Sequence, residues 1–163
     1  MIAAAWNPRR HEFEQVSQDQ QREDDLTRFI RRVRALQNFI RSEDGANLLV
    51  AYRRASNIVD IEERRDNRLY NDPADTSRFQ QKEEKTLHQL LVDASSALDT
   101  YLGHEEFDAA MRRLAGLRGP VDEFFEKVTV NVDDKALREN RLRLLSRIRA
   151  VMNQVADFSQ IEG

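Results

Sequence analysis

From Leu26 to Phe158 the apolar residues of this chain return at every third or fourth position, and no stretch alternates long enough to make a sheet. Spacings of three and four line apolar side chains along one stripe of an α-helix, whereas a half-buried strand needs every second residue. Breakers are scarce enough to let such helices run, with 5 glycines and 3 prolines in 163 residues. The pattern predicts an all-α fold, a bundle of about six helices.

The periodicity divides the chain. In residues 24–41 Leu26, Phe29, Ile30, Val33, Leu36, Phe39 and Ile40 share one face, while arginines decorate the others. Residues 1–23 show no sustained period and much Gln and Glu, which reads as an irregular, mobile arm before a helical domain over 24–163. Its first residues, MIAAAW, have the look of a remnant of an upstream helix. Ser42 suits the N-cap of a second helix, with Glu43 and Asp44 in its first turn and Leu48, Leu49, Tyr52, Ala55, Ile58 and Val59 inward. Residues 66–78, rich in Asn, Asp and Pro, read as a loop, and a third helix follows over 79–102. A fourth spans 105–117, Pro120 opens a fifth, and Asp133 is placed as the N-cap of a long sixth. Val121, Phe124, Phe125, Val128, Leu144 and Leu145 are assigned to the core.

A chain of this length buries roughly 70% of the surface its unfolded form exposes, enough for one independent core. There is no cysteine, which removes disulfides, thiol catalysis and cysteine-held zinc, and fits an intracellular, cytoplasmic setting. No segment approaches the ~20 apolar residues of a membrane span, so no membrane partner is expected. The three histidines, His11, His88 and His104, are not spaced to share a metal, and HEE at 104–106 is not the HExxH pair. No GxSxG elbow and no glycine-rich phosphate loop occurs, and the carboxylate pairs Asp24-Asp25 and Asp133-Asp134 sit where helix N-termini favour negative charge. The expectation is therefore no catalytic residue and no metal ligand.

Cations offer more. Between Lys135 and Arg149 six basic residues face one acid, Glu139, on a chain whose net charge is −3. Arg138, Arg141 and Arg149 fall near one flank of the sixth helix, where they would track phosphates. The alternative is an arginine-rich face paired with acidic neighbours. A second set lies at residues 48–60, where Tyr52, Arg53, Arg54 and Asn57 combine an aromatic, two guanidinium groups and an amide within two turns. Unpaired RNA bases are read by stacking on aromatic or arginine planes and by hydrogen bonds to their edges, so the set is chemically apt. It is equally compatible with Tyr52 in the core, both arginines in solvent and Asn57 bonded to backbone.

Two blocks carry a family resemblance. EDGANLLVAYRRASNIV at 43–59 and the run over 107–161, with its PVDEFFEKVTVNVDD step and its VADFSQI ending, resemble the C-terminal end of the β subunit of bacterial two-subunit glycyl-tRNA synthetase. Arginyl-tRNA synthetases carry a similar helical anticodon-binding domain. The resemblance implies a fold of anticodon-binding-domain type that positions glycine tRNA for aminoacylation by a separate catalytic α subunit. It implies no cofactor in this domain, ATP and glycine being used by the whole synthetase. The partners it implies are the anticodon stem-loop of glycine tRNA, the remainder of the β subunit and the α subunit. Its RNA-facing positions would be Tyr52, Arg53, Arg54, Asn57, Lys127, Asn131, Arg138 and Arg141. A helical module that assembles the synthetase without touching RNA is the competing reading.

Overall fold

The computed structural model describes residues 8–161, and the side chains from residue 15 onward. Among these residues there is no strand. Six helices follow one another, α1 (Pro8–Arg41), α2 (Glu43–Asp66), α3 (Lys82–Gly103), α4 (Phe107–Ala115), α5 (Arg118–Lys127) and α6 (Lys135–Asn153). Two 3-10 turns, Thr76–Arg78 and Phe158–Gln160, complete the chain.

Packing begins late in α1. Ala35 and Phe39 are its buried residues, against α2 and α4, whereas residues 15–27 are all exposed. Residues 8–23 are nevertheless part of the same helix, which corrects the irregular arm expected there; residues 1–7 lie outside the described residues. Over residues 15–27 no apolar period appears because these side chains pack on nothing, while pairs four residues apart sustain the helix. Gln15 donates to Asp19, Gln20 to Asp24 and Gln21 to Asp25. Leu26, Phe29 and Ile30, expected inward, are 58%, 64% and 40% exposed.

A single residue, Ser42, separates α1 from α2. Its hydroxyl accepts from the Gly45 N–H at 3.0 Å and donates to the Phe39 carbonyl at 2.6 Å. A side chain at Gly45 would place Cβ 1.7 Å from that carbonyl oxygen, so glycine is what lets the end of α1 touch the first turn of α2. The second helix ends on Asn67, which adopts the left-handed conformation and donates its N–H to the Glu63 carbonyl.

The loop after α2 is held tightly. Tyr70, fully buried, donates its hydroxyl to Asp66, and the fully buried amide of Asn140 grips both backbone groups of Asp75 at 2.7 and 2.9 Å. Helix α3 starts at Lys82, after a capping box between Gln81 and Glu84, and Phe79 stays in the loop against His88. The N-cap of α6 is Asp134, whose carboxylate accepts from the Leu137 N–H at 3.1 Å, not Asp133. One core joins the helices, centred on Leu48, Leu91, Val121, Phe124, Ile148 and Phe158. Phe158 packs against Phe39 and Tyr52 with ring centroids 6.0 and 5.9 Å away. The 3-10 turn after α6 thereby closes the bundle over α1 and α2.

Candidate nucleic-acid interface

Arginines on α6 turn inward more than the sequence implied. Arg141 is 4% exposed; its Nε donates to fully buried Glu84 at 2.9 Å, and its two Nη groups reach the Thr129 carbonyl at 2.7 Å and Gln81 at 3.1 Å. Glu84 also accepts from the N–H groups of Gln80 and Gln81. Burial acts to raise the Glu84 pKa, but the hydrogen bond from Arg141 and these backbone donors outweigh it and hold the carboxyl below its ordinary value. This pair joins α6, α3 and the α5–α6 connection.

Arg138 forms the second internal network. Its guanidinium contacts Glu62, meets Asp66 at 2.8 Å and donates from Nε to Asn131 at 2.9 Å. Burial disfavours the charged guanidinium, yet hydrogen bonds to Asp66, Glu62 and Tyr70 raise its pKa above the usual arginine value. Asp66, bonded first by Tyr70 and then by Arg138, is held below the usual carboxylate range. Burial, with Asp66 accepting its proton, pushes the Tyr70 hydroxyl up. Arg149 is paired as well, with Asp60 at 2.8 Å.

Four of the eight expected RNA-facing side chains are thus committed elsewhere. Arg141 closes a buried ion pair and Arg138 a part-buried one, because α2 and α3 present carboxylates to α6 that the linear pattern of α6 alone does not reveal. Tyr52 is 2% exposed and its hydroxyl donates to Asn153 at 3.0 Å, so no base can stack on it. Arg53 donates to the Ile161 carbonyl at 2.7 Å and anchors the end of the described chain.

The other four remain at the surface, and two of them line one cleft. Between α2 and the α5–α6 connection lies a groove of about 410 Å³, lined by Arg54, Ile58, Ile61, Phe125, Val130 and Asn131 among others. The Arg54 guanidinium lies 4.4 Å from the centroid of the Phe125 ring, a flat cation on an aromatic face. Asn57 is exposed and, three residues from Arg54 and four from Ile61, shares their side of α2. Asn131 donates to Glu62, which lines the same groove. Lys127 turns toward α3 instead, with Nζ 3.9 Å from Glu83. A shallower depression of about 280 Å³, bounded by Val50 and Asp122, lies on the other side of Phe125, which forms the ridge between the two.

Phe125 was assigned to the core, and the structure leaves it half-buried beside fully buried Phe124. The signal was present in the sequence. Adjacent helical residues point about 100° apart, so a short helix with one buried stripe cannot sink both rings. The groove therefore offers an apolar wall, a stacked guanidinium and an amide, a set suited to the face and edge of an unpaired base, while its one carboxylate, Glu62, is already held by Arg138 and Asn131. Among the described residues no group of three or more His, Asp or Glu is placed to hold a metal ion.

A family model described as the DALR anticodon binding domain matches residues 48–162. The chain belongs to that family. The match takes in every residue named in the groove and leaves α1 outside it. The chain is 55% identical over 142 residues to a glycine–tRNA ligase beta subunit from Rhodospirillum centenum, covering 86% of this chain and 20% of that protein. It is 48% identical over 145 residues to the beta subunit from Phenylobacterium zucineum, covering 86% and 21%. For the Ruegeria beta subunit the identity is 47% over 140 residues, covering 86% and 20%. The chain thus spans about one fifth of the length of the curated relatives it matches.

Proposed function

We propose that this DALR domain binds the anticodon loop of glycine tRNA as part of a glycine–tRNA ligase beta subunit, with an unpaired base seated in the groove beside Arg54 and Phe125. The observation that carries the proposal is that groove. It is an accessible cleft inside the matched family segment, and it joins a stacking platform to an amide. Glycine codons begin with two guanines, so the cognate anticodon ends in two cytosines. A cytosine edge needs an acceptor for its N4 amine and donors for O2 and N3. Backbone carbonyls of the α5–α6 connection would supply acceptors, and Asn57 and the second amide N–H of Asn131 would supply donors. Stacking would add about 1–3 kcal/mol per base.

In this reading the domain carries no catalytic group and holds no cofactor. Aminoacylation, with its ATP and glycine, belongs to a catalytic α subunit, and the assembly works in the cytoplasm. A titration with glycine tRNA and with a transcript whose two anticodon cytosines are replaced tests the proposal. Tighter binding to the cognate RNA is expected, and equal binding would remove anticodon reading. A protein-docking role is favoured by one separate observation, the exposed stripe of Leu26, Phe29 and Ile30 on α1. Its occupant would be the remainder of a beta subunit. Polar replacement of these three residues would weaken that assembly without changing RNA affinity.

A further inference from the structure

A second opening lies on a different face of the bundle, between the loop after α2, α3 and the outer side of α6. It encloses about 210 Å³, and Val92, Leu144, Ala150 and Pro73 supply apolar walls. Arg143, Arg147 and His88 also line it, against a single acid among the described lining residues, Asp72. The two arginines differ from their basic neighbours on α6. Lys135, Arg138, Arg141 and Arg149 each have a carboxylate within 4.0 Å, whereas neither Arg143 nor Arg147 has one among the described residues. Arg147 makes one neutral contact, to Ser95 at 3.3 Å, and the Nε of Arg143 is buried with no hydrogen-bond partner.

A buried guanidinium N–H with nothing to donate to is costly, and the carboxylates that satisfy Arg138, Arg141 and Arg149 on the same helix have no counterpart at Arg143 among the described residues. An anionic ligand with an apolar portion fits this opening, because two guanidinium groups border a small pocket with aliphatic walls and an imidazole. His88 is itself held by Phe79, with ring centroids 5.3 Å apart. A nucleotide meets both conditions, with its base against Val92 and Leu144 and its phosphate on Arg143 and Arg147. We propose that this pocket is a second RNA subsite, which takes one unstacked nucleotide of the same strand that the Arg54–Phe125 groove reads. It rests on the RNA-binding reading, but its contribution is to affinity through phosphate and not to the choice of base.

The test is a fluorescence titration of the 163-residue chain with glycine tRNA and with the transcript lacking the anticodon cytosines. Each is repeated for Arg143→Gln and Arg147→Gln, with thermal midpoints measured alongside. Each variant should bind both RNAs about tenfold more weakly and lose about one unit of the log–log salt slope, with the preference between the two RNAs unchanged. Arg147 is exposed, so its variant keeps the fold and carries the result even if Arg143→Gln is destabilised. If the wild type prefers the cognate RNA and both variants bind as it does, the pocket is overturned and anticodon reading stands. If the wild type binds both RNAs equally and both variants weaken both, anticodon reading falls and the pocket stands. Failure of the wild type to bind either RNA overturns both.

Discussion

Replacing Arg141 by alanine separates the sequence's expectation for this residue from the structure's. On the surface it would be a phosphate contact, and its loss would lower RNA affinity at constant stability. In the structure it is 4% exposed and tied to a carboxylate that is 0% exposed. Removing one partner of a buried ion pair costs about 3–5 kcal/mol. Glu84 keeps the N–H donors of Gln80 and Gln81, which places the expected loss near the lower end, about 3 kcal/mol. For a domain of this size that is a fall in thermal midpoint of roughly 6–12 °C. Urea unfolding followed by circular dichroism reads it directly. The sign with pH follows from Glu84. Its folded pKa lies below the ordinary 4.5, so its stabilisation is present above that value and fades as pH falls through the folded one. The wild type should therefore lose stability below about pH 4.5 more steeply than Arg141→Ala does. A variant with unchanged stability and weakened RNA binding would refute the buried-pair argument.

Gly45→Ala should destabilise by about 1–3 kcal/mol despite the better helix propensity of alanine, because its Cβ would lie 1.7 Å from the Phe39 carbonyl; urea midpoints measure it. Asn140→Ala should cost about 2 kcal/mol by removing both bonds to Asp75, and hydrogen exchange at the Asp75 amide should rise. Gln20→Pro should lower the helical signal at 222 nm while leaving the unfolding free energy within about 0.5 kcal/mol, since residues 15–27 pack on nothing. A large loss of stability there would contradict the placement of α1.

What the sequence made legible is what depends on spacing along one element. Leu48, Leu87, Leu91, Phe124 and Ile148 repeat at helical intervals, and each is buried. The helix through residues 8–23 was not legible by that route, because periodicity reports packing and the side chains of residues 15–23 have none. At the site the division is similar. Arg54, Asn57 and Asn131 are exposed, so their chemistry stays available to a ligand. Arg138 and Arg141 were misplaced because their partners, Glu62, Asp66 and Glu84, lie 57 to 76 residues away on other helices. Counting charges on α6 alone made a solvent-facing stripe of what is an internal ion-pair network. Phe125 was missed for the opposite reason: an aromatic residue in a short apolar run reads as core unless its buried neighbour is considered with it.

The central claim is that a base is read in the groove beside Arg54 and Phe125, and discrimination measured at that groove tests it most directly. Binding of glycine tRNA and of the cytosine-replaced transcript should be compared in the wild type, Phe125→Ala and Asn131→Ala. The account predicts a preference for the cognate RNA in the wild type that shrinks about tenfold or more in each variant. A preference that survives both substitutions intact would contradict it.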